Sequence, residues 1–98
     1  LCFFMFVSAK SQSKNLGDII VSSIRVMDNG GGGTIVTFNA DGKETAYLGT
    51  GESGVGFLQT FNADGKETAY FGTNKDNDGI VGLFDRYGDI GWGASGKK

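Results

Sequence analysis

Histidine and proline are absent from the 98 residues, and cysteine occurs once. Without histidine the chain lacks the commonest general base and the commonest metal ligand. A single cysteine, Cys2, cannot close an internal disulfide and reads as one more apolar residue of the run around it. The lack of proline beside 18 glycines argues against a flexible linker. With apolar residues regularly interleaved, the glycines fit tight β turns and close backbone approach. Charge is sparse: a net −2, with Lys and Glu alternating in sign, gives no basic footprint for nucleic acid. No apolar run is long enough to span a bilayer, the first seven residues being apolar but too few.

What the chain does contain is one stretch written twice. Thr37–Thr50 reads TFNADGKETAYLGT and Thr60–Thr73 reads TFNADGKETAYFGT, so 13 of 14 positions agree at an offset of 23, Leu48 against Phe71 being the exception. Such an offset marks an internal repeat. The period extends further: Thr34–Phe38, Phe57–Phe61 and Ile80–Phe84 are in register, each followed by a four-residue turn ending in glycine. These turns are Asn39–Gly42, Asn62–Gly65 and Asp85–Gly88. A third, degraded copy of the second half runs through Asp89–Gly93, as expected of a terminal unit with a neighbour on one side only.

Each unit holds two stretches rich in β-branched and aromatic residues with period-2 alternation. Asn and Asp bond to their own backbone and Gly takes positive φ, so turns recur every 11 or 12 residues. The expectation is an all-β chain of 23-residue, two-strand repeats forming an antiparallel meander or stacked sheets, with a β-solenoid as the alternative. Two regions are expected: an apolar N-terminal segment and linker over 1–17, and a repeat β domain over 18–98. Within the latter, Asp18–Met27 reads as a long strand ending at Asp28-Asn29 and four glycines. Those glycines permit a sharp loop but lack the following helix of a phosphate cradle.

Apolar residues fall on both strand faces: Thr34, Val36 and Phe38 on one, Ile35 on the other, with Phe57 and Phe61 opposite Leu58. A sheet covered on one side only would be polar on the other. With no helix available, a second sheet or other subunits must supply the cover. Leu1–Ala9 resembles the end of a signal-peptide apolar region, with small residues at Val7-Ser8-Ala9. As an apolar strand, its Phe3, Phe4, Met5, Phe6 and Val7 would insert into a neighbouring copy and carry assembly.

Two ligand constellations stand beside this reading. Asn74, Asp76, Asp78 and Asp85 occupy calcium-loop spacing around Gly79, although no helices flank them and the equivalent turn lacks the pattern. Calcium is therefore the one cofactor the sequence raises. Tyr47, Tyr70 and Trp92 would form an aromatic platform for a glycan, against the plainer expectation that they stack with their neighbours. No nucleophile stands beside a base, so no enzymatic activity is expected.

The tandem units, with ADGK turns and TAYLG or TAYFG strands over residues 34–90, resemble short glycine-rich β repeats of bacterial surface and phage fibre proteins. That resemblance implies an extracellular or cell-surface, structural, homo-oligomeric protein. The function expected is that of a subunit of a self-assembling filament or surface fibre whose partner is itself. The alternative is a small secreted binding module.

Overall fold

A computed structural model describes residues 17–28 and 30–98. The described chain is all-β. Six strands follow one another: β1 Thr34–Phe38, β2 Glu44–Thr50, β3 Gly56–Phe61, β4 Glu67–Thr73, β5 Gly79–Phe84 and β6 Ile90–Ser95. They form one open sheet in the order β1-β2-β3-β4-β5-β6, every neighbouring pair antiparallel. Short turns between β-prone segments favour this pairing of chain neighbours.

The five connections share one hydrogen-bond pattern. In the first, Asn39 N–H donates to the Lys43 carbonyl at 2.9 Å and Gly42 N–H to the Asn39 carbonyl at 3.0 Å. The same two bonds recur from Gly51, Asn62, Asn74 and Asp85. The fourth turn residue has positive φ each time, at Gly42, Gly54, Gly65, Asn77 and Gly88. Glycine takes that conformation without a Cβ clash, and Asn is the residue that best tolerates it otherwise. At four turns the first side chain adds a clamp. Asn39, Asn62, Asn74 and Asp85 each accept, on Oδ1, the backbone N–H groups two and four residues ahead.

The register slips by one residue beside alternate turns, at Thr37/Phe38, Thr60/Phe61 and Leu83/Phe84. Such bulges bend a strand and deepen its twist. At the first two, the extra residue is Thr45 or Thr68, whose hydroxyl bonds that of Thr37 at 2.7 Å or Thr60 at 2.8 Å. All three bulges fall toward the same end of the sheet, so their bends accumulate.

The expected strand at Asp18–Met27 is not formed. These residues have no regular structure and are exposed. Strand propensity is realised only through a ladder, and this segment has no partner strand. The other strands lie where the alternation puts them. Leu1–Leu16 and Asn29, and with them the assembly residues Phe3, Phe4, Met5, Phe6 and Val7, lie outside the described residues.

Candidate functional site

The sheet has two unlike faces, which the register defines. On the first, Val36, Tyr47, Gln59, Tyr70, Gly82 and Gly93 stand side by side across all six strands. In the next row Phe57 lies between Gly49 on β2 and Gly72 on β4. The two glycines leave room for its ring to stack against Tyr47 at 5.1 Å and Tyr70 at 5.4 Å, centroid to centroid, with interplanar angles of 17° and 10°. Each Tyr runs along its own strand past the glycine. Tyr70 Oη donates to the Thr73 carbonyl at 3.1 Å, and Tyr47 Oη to the Thr50 carbonyl at 3.4 Å. Offset stacks of this kind contribute about 0.5–1.5 kcal/mol each beyond their buried area. The repeat thus builds a three-ring ladder from one Phe and two copies of the same Tyr.

Beyond the ladder the face opens into a cleft of about 690 Å³ lined by Gln59, Glu67, Tyr70, Ile80, Phe84 and Ile90 among others. Its floor is Gly82, the one buried residue of the strands, over which Phe84 and Ile90 lean. Its polar edge is Gln59, whose Nε2 donates to Glu67 Oε2 at 3.0 Å. The cleft is mostly apolar, with the Gln59–Glu67 pair and Ser95 as its polar groups.

The opposite face is different. Ile35, Leu48, Leu58, Phe71, Val81 and Ala94 are direct cross-strand neighbours and form one apolar row across the sheet. A second row runs Thr37, Ala46, Thr60, Ala69, Leu83, Trp92. Neither row holds an ionisable side chain. The large members stay open to solvent: Leu48 is 50% exposed, Phe71 66% and Trp92 57%. Among the described residues no hydrophobic side chain is buried. The packing that exists is therefore on the ring-ladder face, while the row face is bare.

The ligand constellations fare differently in three dimensions. Tyr47 and Tyr70 are brought together but each turns one ring face to Phe57, and Trp92 sits on the other side of the sheet. Asn74 Oδ1 is occupied by the N–H groups of Asp76 and Asp78, and Asp85 Oδ1 by those of Tyr87 and Asp89, in separate turns at opposite ends of the sheet. Among the described residues no group of three or more His, Cys, Asp or Glu is placed to hold a metal ion, and no helix is long and apolar enough to cross a membrane. Among the described residues the one displaced ionisation is at Asp28, held below its ordinary value first by the Gly32 N–H and then by that of Gly30. What the sequence reading did not find is the continuous apolar row. Its signal was present: Leu48 and Phe71 share a repeat position and Ile35, Leu58 and Val81 share another, all of one parity once the turns are fixed.

No protein-family model, no curated protein and no solved structure matches the chain.

Proposed function

We propose that this chain is a structural subunit that assembles with copies of itself into an extracellular or cell-surface filament or fibre. The observation that carries the reading is the uncharged apolar row, exposed across all six strands of a sheet that buries no hydrophobic side chain. A single sheet layer has no interior, and stable domains bury a sheet face against a second layer. Contiguous exposed apolar patches of this extent mark association surfaces.

A second copy is the partner that fits. The row face carries no charge that would need a complement, and two such faces are self-complementary, as a two-fold contact requires. Its size is adequate: six strands about 4.8 Å apart and about 20 Å long present roughly 580 Å² per copy. A facing pair then covers roughly 1,200 Å² in all, at the lower end of stable interfaces. The resemblance of the repeats to glycine-rich fibre repeats agrees with an extracellular setting. Insertion of Phe3–Val7 into a neighbouring copy remains part of the proposal as a second contact. Neither catalysis nor nucleic-acid binding has a role in it.

The test is sedimentation velocity across a concentration series with negative-stain electron microscopy at neutral pH. Uniform filaments, or dimers growing into larger species with concentration, are expected. A chain that remains monomeric at high concentration overturns the reading.

The cleft between Tyr70, Ile80 and Ile90 supports a second reading, a binding module, on its own observation: an apolar hollow with the Gln59–Glu67 pair and Ser95 as its polar groups. Saturable chemical-shift changes at Gln59 and Tyr70 in a glycan titration would favour it. Their absence across a broad panel would dismiss it.

A further inference from the structure

Asp18–Met27 is a strand-forming segment without a sheet. Six of its ten residues are Ile, Val or Met, and they are exposed, Ile20 to 92%. Their parity is that of the sheet's own strands: Ile20, Ile24 and Val26 point one way when extended, Ile19, Val21 and Met27 the other. A lone strand facing water has no use for two apolar sides, whereas a strand added to this sheet continues both of its faces.

Two partners within the same copy are disfavoured. After the segment the chain turns, with Asp28 Oδ1 accepting Gly32 N–H at 2.7 Å and Gly30 N–H at 2.8 Å. The Val26 carbonyl then crowds Gly33 so closely that no Cβ fits there. The segment comes this close beside the start of β1 yet forms no ladder with it. Its own β6 is at the far edge, five strand spacings or about 24 Å away. Crossing that distance would use up most of the residues that could pair.

The β6 edge is receptive. Sheet edges are normally blunted by charge, proline, shortness or a bulge. Ile90–Ser95 has neither a charged residue nor a proline, and its bulge at Gly91 leaves Trp92–Ser95 in regular pairing with β5. Gly96 N–H donates inward to the Gly79 carbonyl at 2.8 Å. Antiparallel alternation from that bond turns the N–H groups of Gly93 and Ser95 outward.

We propose that Asp18–Met27 of one copy adds as a seventh strand to β6 of a second copy. The backbone ladder supplies affinity, and the alternating Ile and Val side chains supply fit on both faces. The contact joins different surfaces of the two copies, so it propagates head to tail and leaves a free segment and a free edge at the ends of an open chain. This inference rests on the self-association reading and gives it a direction.

The test is amide hydrogen–deuterium exchange of the full chain, assembled and at high dilution. At least tenfold slower exchange at Ile19–Val26, Gly93 and Ser95 is expected in the assembled sample alone. The double variant Ile20→Pro/Ser23→Pro, which removes donors of both parities from a segment with no ladder to lose, should leave the circular dichroism of the sheet unchanged and raise the concentration of half-assembly at least tenfold. Association without protection at these amides overturns the strand joint and leaves the face contact standing. Protection of Ile19–Val26 that persists at dilution marks pairing within one copy and also overturns it. Absence of any association overturns both this inference and the reading beneath it.

Discussion

Phe57 and Gly72 face each other across β3 and β4, and a Cβ on Gly72 would come within 2.5 Å of the Phe57 Cβ. The ring ladder depends on this vacancy, because Phe57 must lie flat between Tyr47 and Tyr70. Gly72→Ala is expected to push Phe57 aside and cost about 1–3 kcal/mol, the usual range for overpacking. Gly79→Ala is the control, since its Cβ would meet nothing nearer than 3.9 Å. It is expected to change stability by no more than about 0.5 kcal/mol. Urea denaturation of the two variants checks the pair, and equal losses would mean that the ladder contributes nothing.

The turns carry a second, independent test. Gly65 and Asn77 hold the same turn position at φ 86° and 70°. A Cβ in this conformation costs about 1–2 kcal/mol for ordinary L residues. Gly65→Ala should therefore destabilise by that amount, although nothing crowds the site. Asn77→Gly should raise the melting temperature, by up to about 1 kcal/mol of stability. The opposite signs at equivalent positions are the signature to look for.

Asp28 gives a pH dependence. Its carboxylate accepts the N–H groups of Gly32 and Gly30, which lowers its pKa on folding. A depressed acid stabilises the folded form above its unfolded pKa, and that contribution disappears as pH falls through the folded value. The loop is thus expected to hold its structure at neutral pH and loosen in acid. The Gly30 and Gly32 amide resonances should titrate together, with a midpoint below the ordinary Asp value of about 3.9. A midpoint at or above that value would mean the two bonds are not kept in solution.

The Asn74 turn looks like half of a calcium loop in sequence, yet Asn74 Oδ1 already receives two backbone N–H groups. Asn74→Ala should cost about 1 kcal/mol through loss of those bonds, with or without calcium. The melting temperature of the unaltered protein should be the same in excess calcium and in excess chelator. A chelator-dependent melt would restore the ion-binding reading.

Much of this architecture is legible residue by residue. Asn39-Ala40-Asp41-Gly42 dictates its own turn because cap, backbone bond and positive φ are all local. Period-2 alternation then fixes which residues share a face. Asp18–Met27 has the same local credentials as β1 and yet is no strand, because the missing ingredient is a partner. The calcium-like spacing has a local explanation of the same kind. Asn74 stands where Asn39 and Asn62 stand in their turns, and the 12- and 11-residue spacing between turns, not the acidic spacing, tells its role. That Trp92 lies across the sheet from Tyr47 depends on the slipped pairing at Leu83/Phe84 and on a chain of four registers, which no local pattern encodes.

The row face offers the sharpest separation of assembly from folding. Leu58 sits mid-row between Leu48 and Phe71, and its neighbour in sequence, Gln59, sits on the ring-ladder face beside Glu67. Leu58→Lys leaves the free sheet intact, because Leu58 is 40% exposed and an ammonium there stays hydrated. Against a second apolar row that hydration is lost, at a cost of several kcal/mol for an unpaired charge. The concentration of half-assembly should rise at least 100-fold, which corresponds to about 2.7 kcal/mol. Gln59→Lys places the same charge one residue away, next to a carboxylate, and should shift assembly by less than about threefold. Sedimentation of both variants reads the difference. If the two weaken assembly equally, the copies meet through the ring-ladder face as well, and the bare row is not the principal contact.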